Sequence, residues 1–415
     1  MIKTPRGTKD ILPSDIWKWN FIEDKFRDVS NLFSYKELRT PIFENTEVFS
    51  RGVGEDTDIV GKEMYTFSDR GGNLMTLRPE MTASLVRSAI EHNLTNSGVQ
   101  RLWYYGPFFR YERPQKGRQR QFHQFGAELL GSDSPIADVE IISLCVNLVT
   151  SCGIDDYKLL LNSLGNRESR VNYLSNLKEY LNDNKSKLSE TSQTRLEQNP
   201  LRILDSKSPE DIIIVESAPI LLDFLDSESR DHFEKVKELC DAININYEIS
   251  PKLVRGLDYY SHTVFELQST ALGAQDAFGG GGRYNELFAQ LGGKNVPAIG
   301  FAMGVERLLL ILDSLDKLPI EEEILDIYII SADKNIESDI LIMKDYLLSQ
   351  NIKTVSDINS RSFKAQFKEA NKMNAKWVLI IGNDEIEKNK YTLKNMETSE
   401  QIEISREGIL SHIYQ

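Results

Sequence analysis

Cysteine is scarce in this chain: Cys145, Cys152 and Cys240 are the only three among 415 residues, odd in number and widely spaced. A disulfide framework is therefore not expected, and the usage reads as that of a reducing compartment. Long apolar runs are also missing. None approaches the roughly 20 residues a membrane helix needs, so no membrane partner is expected. The opening MIKTPRGTKDILPSD mixes Lys3, Arg6, Lys9 and Asp10 with no apolar stretch, so no signal peptide is read there and a cytoplasmic location is expected. Positive charge is in deficit, with 49 Lys and Arg against 63 Asp and Glu, a net −14. That argues against a generally basic, DNA-coating protein, and no DNA partner is expected, though local basic patches remain open. The five histidines form no H-E-x-x-H and there is no C-x-x-C, so no protein-held metal is expected. A G-x-S-x-G nucleophile turn is lacking as well.

What is present is ordinary globular material, 40% hydrophobic and 27% charged, long enough for two or three domains. Ile16, Trp19, Phe26, Val29, Leu32 and Phe33 recur at near-helical spacing and predict a helix over 16–33. Further helices are expected at 79–90, 136–149 and 305–312, and strands at 38–43, 102–111, 121–130, 253–257 and 263–267. Residues 166–241 are strongly charged and broken by Pro200, Pro209 and Pro219. They read as an inserted helical subdomain or as a long helical connection. The acidic stretch Glu321–Glu323 marks a second boundary, beyond which strand and helix alternate as in a compact α/β domain. The expected division is 1–165 with 242–322, an insertion at 166–241, and a last domain at 323–415.

Three stretches carry chemistry. Between Arg101 and Arg120 stand six bases (Arg101, Arg110, Arg113, Lys116, Arg118, Arg120) and one acid, Glu112. Like charges crowded on a hairpin tip repel one another unless an anion neutralises them. The tip is either a phosphate site, which the arginine fork suits, or a solvated loop. Arg255-Gly256-Leu257-Asp258-Tyr259-Tyr260 sets a cation and two phenols beside an apolar stretch: a polar-ligand site, or a turn with core tyrosines. Gly279–Gly282 runs into Arg283-Tyr284 rather than Lys-Ser/Thr, which excludes a Walker loop, and it makes no G-x-G-x-x-G. Such a run lets a backbone pass close to a flat ligand or forms a bulge. Later, Arg361, Lys364, Lys368, Lys372 and Lys376 recur at spacings of three and four. They predict five bases on one helix face, opposite Phe363, Phe367 and Ala370, either to meet a phosphate backbone or as a solvated face.

Taken in order, TLRPEMTAS (76–84), YYGPFFRYERPQKGRQRQFHQFGAELLG (104–131), LVRGLDYYSHTVFEL (253–267), GGGGRY (279–284) and PAIGFAMGVERLL (297–309) resemble the class II aminoacyl-tRNA synthetases, and among them the histidyl-tRNA synthetase family. Of these, 104–131 resembles the second class motif and 297–309 the third, the segment around Pro41 resembles the weaker first one, and LVRGLDYY and GGGGRY are the segments particular to the histidine enzymes and their paralogues. The resemblance implies an α+β fold: a class II catalytic domain with an antiparallel sheet flanked by helices, a helical insertion, and a C-terminal α/β anticodon-binding domain. It implies histidine and tRNA(His) as partners, ATP with Mg²⁺, and a homodimer joined through the first motif.

Residue by residue, the resemblance assigns Arg110 to the α-phosphate, Glu112 to the adenine side, and Arg118 and Arg307 to the outer phosphates. Glu80, Thr82 and Gln124 match the groups that take the substrate ammonium. Glu128 and Tyr260, with Tyr259 beside them, match the readers of the imidazole. Arg255 matches an additional arginine at the α-phosphate and substrate carboxylate. Met81 stands where the family often has glycine and is expected to narrow the space nearby. Gln115, Lys116, Lys364 and Lys368 are the expected tRNA contacts. The competing expectation is a non-catalytic paralogue, either a regulatory subunit of histidine biosynthesis or a sensor of histidine or tRNA. Such paralogues typically lose the phosphate-handling arginines, whereas this chain keeps Arg110, Arg118, Arg255 and Arg307.

Overall fold

The computed structural model describes residues 1–413 except 55–56, 205, 207, 274–275 and 320–323; the acidic stretch Glu321–Glu323 therefore lies outside the described residues. The chain forms two compact units, Met1–Leu318 and Pro319–Gln415.

The first unit holds β1 (Lys36–Glu37), β2 (Phe43–Asn45), β3 (Tyr65–Ser68), β4 (Leu74–Leu77), β5 (Gln100–Phe109), β6 (Gln121–Leu130), β7 (Lys158–Ser163), β8 (Glu248–Ile249), β9 (Ser261–Gln268), β10 (Ala277–Arg283) and β11 (Ala298–Gly304). Eight of them build one sheet in the order β1-β5-β6-β11-β10-β9-β7-β8. It is antiparallel except where the two short edge strands join, β1 beside β5 and β8 beside β7. Strands β2, β4 and β3 form a separate antiparallel sheet.

Period-two alternation decides what each face of the large sheet does. In the β5–β6 hairpin, paired from Gln100 and Leu130 to Phe109 and Gln121, it sends Trp103, Phe125, Ala127 and Leu129 one way and Leu102, Tyr104 and Leu130 the other. The first face is closed by the helices Ile16–Leu32, Pro135–Ser151, Ser227–Ala242 and Val305–Ser314. Phe26 meets Phe125 with ring centres 4.3 Å apart, and Trp103 stacks on Phe125 at 5.6 Å. The second face is left to the helix Thr82–Glu91, to the helices between 167 and 225, and to a cleft.

Two of the three prolines of the 166–241 stretch open helical pieces. Pro200 begins a 3₁₀ turn and Pro209 a helix, positions where the missing N–H costs nothing. Asn166, Ser189 and Asp226 cap the helices Arg167–Asp183, Glu190–Gln198 and Ser227–Ala242 through their side-chain oxygens. The strand expected at 253–257 is not there: the segment is irregular. Its carbonyls are taken by side chains instead of a neighbouring strand, beginning with Asn162 Nδ2, which donates to Pro251 O at 3.2 Å and Leu253 O at 3.0 Å.

In the second unit, β12 (Leu325–Ser331), β13 (Thr354–Ser356), β14 (Ala375–Ile381), β15 (Tyr391–Asn395) and β16 (Gln401–Ile404) are ordered β13-β12-β14-β15-β16. The first three are parallel and the last two antiparallel. Ile327, Ile329, Leu347, Leu379, Leu393 and Ile409 pack on one face, and Tyr328, Ile330, Ala370 and Val378 on the other. The single helix face of five bases needs correcting. The helix is Phe363–Lys372, so Arg361 precedes it and Lys376 lies in β14. Arg361 is held by Asp357 at 2.5 Å and Glu369 at 3.1 Å. Lys364, Lys368 and Lys372 remain on the helix and exposed. Among the described residues no helix is long and apolar enough to cross a membrane.

Candidate active site

The cleft lies on the second face of the large sheet, and its floor is bare for a reason visible in the register. Across the strands Tyr104, Gly126, Ala302, Gly280 and Glu266 stand in one row, and Leu102, Glu128, Gly300, Gly282 and Val264 in the next. Glycine in these rows makes room for side chains that lie flat over the sheet. A Cβ on Gly280 would stand 2.8 Å from Arg255 Nη1, and one on Gly282 would stand 3.0 Å from Tyr260 Cδ1. A Cβ on Gly300 would overlap the Glu128 carboxylate. The glycine run is thus a strand interior serving close approach, with register shifts at both of its ends.

One end of the cleft is rich in carboxylates and phenols. Glu80 caps the helix Thr82–Glu91: Oε2 accepts from the Thr82 amide at 2.7 Å and Oε1 from the Ala83 amide at 2.9 Å. Burial raises the Glu80 carboxyl above its usual range, while those amides and Arg110 act against the rise. Thr82 Oγ1 donates to Glu128 Oε1 at 2.9 Å, and the Tyr284 hydroxyl donates to Glu128 Oε2 at 2.5 Å. Glu128 is 1% exposed, behind Thr82 and Tyr284 rather than open to the cleft. Burial pushes its carboxyl up to about 8 in spite of the two donors. Tyr259 lies against Tyr260 at 4.7 Å and Tyr284 at 5.6 Å. Met81 is buried at the wall, its Sδ taking the Thr40 hydroxyl at 3.4 Å, and Gln124 reaches the cleft from β6.

The other end is cationic. Arg110 is aimed by its Nε, which donates to Pro79 O at 2.8 Å, and its guanidinium sits 5.2 Å over the Phe122 ring. Glu112 stands between Arg110 at 3.9 Å and Arg118 at 3.2 Å. Arg307 bridges the hairpin and β10 through Gly117 O, at 3.3 Å, and Ala277 O. Its pKa is lowered, first by burial and next by the neighbouring Arg118 cation. Arg255 Nη1 donates to Glu266 at 2.5 Å, and its Nε is buried with no partner among the described residues. Four guanidiniums therefore face three carboxylates, Glu112, Glu266 and Glu306, the last already accepting from the His123 amide, which leaves charge for an anion to fill.

Glu80, Met81, Thr82, Arg110, Glu112, Arg118, Gln124, Arg255, Tyr259, Tyr260 and Arg307 thus share one cleft, with Glu128 just beneath it. Of the six bases between 101 and 120, only Arg110 and Arg118 line it. Arg101 is spent on Glu140, at 2.7 and 2.9 Å, and Arg120 stacks on the Tyr111 ring at 3.8 Å. Gln115 and Lys116 stand exposed at the hairpin tip, where the backbone of Gln115 brackets that of Arg118. Lys364 and Lys368 belong to the second unit. Tyr104, Phe122, Glu266 and Tyr284 also line the cleft, and motif reading passed over them as site residues. Glu266 was open to detection, being an acid within the apolar strand text TVFEL. No group of three or more His, Cys, Asp or Glu suited to a metal occurs among the described residues.

The histidyl-tRNA synthetase family model matches residues 7–308, and an anticodon-binding domain model matches 326–415. A histidine–tRNA ligase of Gloeothece citriformis is 49% identical, covering 99% of this chain and 96% of that protein. One from Listeria monocytogenes is 46% identical over 99% and 98%. Among solved structures, apo histidyl-tRNA synthetase of S. aureus superposes with a TM-score of 0.84 at 37% identity, each chain covered in full.

Proposed function

The chain belongs to the histidyl-tRNA synthetase family, and from that premise we propose how its own residues join histidine to tRNA. It activates histidine with ATP to histidyl-adenylate and transfers the histidyl group to the 3′ end of tRNA(His). Full-length relatives of the same name support this over the regulatory paralogue.

Activation is an in-line attack of one anion, the histidine carboxylate, on another, the α-phosphate of ATP. Positioning and charge compensation are therefore most of the catalysis, and no side-chain nucleophile is required. The observation that carries the reading is the polarity of the single cleft. Histidine lies at the end holding Glu80, Thr82, Gln124 and Glu128, with Tyr259 and Tyr260 against its ring and its ammonium toward Glu80. ATP lies at the arginine end, its purine against Phe122 and Glu112. Arg110 and Arg255 meet the α-phosphate and the attacking carboxylate, and the unpartnered Arg255 Nε supplies a donor there. Pyrophosphate leaves against Arg118 and Arg307. Mg²⁺ would offset phosphate charge here, and Glu112, Glu266 and Glu306 are the lining carboxylates of the arginine end that would help to hold it. That donor set fits an ion arriving on the nucleotide better than a protein cage.

Purified protein should catalyse histidine-dependent ATP–pyrophosphate exchange. Arg255→Ala should lower that rate by about a hundredfold, the scale of one lost contact to charge developing in the transition state. Full activity in the variant would make Arg255 structural. We further propose that the chain works in the cytoplasm, which cell fractionation tests, and as a homodimer. Ile42, Phe43, Phe67 and Leu74 leave apolar surface exposed beside Pro41, and light scattering that returns the mass of one chain from active protein would remove the dimer.

A further inference from the structure

The segment 253–260 carries Arg255, Tyr259 and Tyr260 into the cleft without being part of the sheet. Its backbone carbonyls must find partners elsewhere, and most of those partners come from the helical insertion. Arg202 Nη2 donates to Gly256 O at 3.3 Å. Arg170 Nη1, from the helix Arg167–Asp183, donates to Asp258 O at 3.2 Å and Tyr260 O at 3.3 Å. Asn199 Nδ2 donates to Asp258 Oδ1 at 3.3 Å. The carbonyls of residues 256, 258 and 260 are thus held from the insertion side, while the side chains of 255, 259 and 260 reach the cleft.

Arg202 also pairs with Asp58. Asp58 directly precedes Ile59, which lines the cleft, as do Gly256 and Leu257. One guanidinium therefore fastens two separate cleft-lining segments to each other and to the insertion. A third link runs between those segments, from the Asp258 amide to Val53 O at 3.3 Å. The Asp58 carboxylate is 49% exposed, and an ion pair so open to solvent contributes little to folding. Its effect should be sought in the shape of the cleft.

We propose that the insertion sets the geometry of the histidine-reading loop, with Arg170 and Arg202 as positioning residues and the Arg202–Asp58 pair as a clasp at the rim of the cleft. The inference rests on the function proposed above. Arg202 touches no substrate in this arrangement; it acts through the backbone that aims Arg255, Tyr259 and Tyr260. A planar fork can hold two acceptors at once, which an ammonium cannot do in the same way. Small displacements of an aimed group are costly to a reaction that depends on alignment.

The test is steady-state pyrophosphate exchange on the full-length chain, varying histidine and ATP separately. Arg202→Ala should raise the histidine KM by about tenfold, as expected for a lost charge-assisted hydrogen bond, and leave the ATP KM within about twofold. Arg202→Lys should recover part of the loss. Asp58→Asn should shift the same constant in the same direction, and combining it with Arg202→Ala should add little to Arg202→Ala alone, because both remove one clasp. An unchanged histidine KM overturns the proposal. So does an equal rise in both KM values, which would mean general loosening, and so does a full multiplication of the two single effects. If Arg202→Ala does not fold, Asp58→Asn and Arg202→Lys decide the matter alone. Wild-type protein without histidine-dependent exchange would instead refute the proposed function, a result distinguishable from failure of the clasp.

Discussion

Glu128 is a carboxyl under two opposing pressures. Both of its oxygens accept hydrogen bonds, from Thr82 and Tyr284, which favours the ionised form. Complete burial disfavours it more strongly and moves the group from an ordinary 4.5 up to about 8. The sign of the linkage follows. Between those two values the folded chain holds a proton that the unfolded chain has released, so this group's contribution to stability is complete below about pH 4.5 and is lost as pH rises toward 8. The slope it adds is at most about 1.4 kcal/mol per pH unit. Glu128→Gln should therefore flatten the decline in stability between pH 5 and 8, read by urea unfolding of the ligand-free protein at several pH values. Parallel profiles for variant and wild type would show that Glu128 does not hold the extra proton. The sequence marks Glu128 only by resemblance. That it lies behind Thr82 and Tyr284, sharing its proton balance with a phenol from GGGGRY, depends on the pairing of β6 with β11 and of β11 with β10, which no local pattern displays.

At the scale of elements, legibility followed periodicity. The hairpin strand at 121–130 is the one expected, because aromatic and β-branched text bounded by a charged loop has few other readings. The helix expected over 16–33 is Ile16–Leu32. Residues 253–257 read as a strand for the same apolar content but failed to become one, since β8 occupies the edge beside β7 and side chains take carbonyls of the segment, Asn162 that of Leu253 and Arg202 that of Gly256. The basic helix shows the matching limit. Spacing identified Lys364, Lys368 and Lys372, but it counted Arg361 and Lys376 although the helix spans only Phe363–Lys372. Arg361 is neutralised by Asp357 and Glu369, so the free positive charge of this face is smaller than five. If the three lysines meet tRNA phosphates, reversing Lys364 and Lys368 to Glu should weaken tRNA(His) binding and reduce the slope of log affinity against log salt by roughly 1 to 2. Filter binding across a salt series measures both. Unchanged affinity and slope would leave these lysines as a solvated face.

For the whole molecule, the question is which activities each unit can support. Every group placed around histidine and ATP belongs to Met1–Leu318, and that unit closes its own core on both faces of the large sheet. Pro319–Gln415 has a separate core on each face of its five-stranded sheet, and its match to an anticodon-binding domain concerns tRNA rather than activation. On the proposed assignment adenylate formation uses the cleft alone, whereas charging also needs tRNA held long enough for its 3′ end to reach the adenylate. In an acidic chain the phosphate contacts must come from local basic patches, and binding weakens with each patch removed. A chain ending at Leu318 should accordingly keep most of its pyrophosphate exchange, provided that circular dichroism shows it folded, and lose most of its aminoacylation of tRNA(His). The loss should appear chiefly in the tRNA KM, because the chemistry at the adenylate is untouched. Charging that survives the truncation with an unaltered tRNA KM would mean that the second unit does not select tRNA. Equal loss of exchange and charging would mean that the cleft depends on the second unit for its shape.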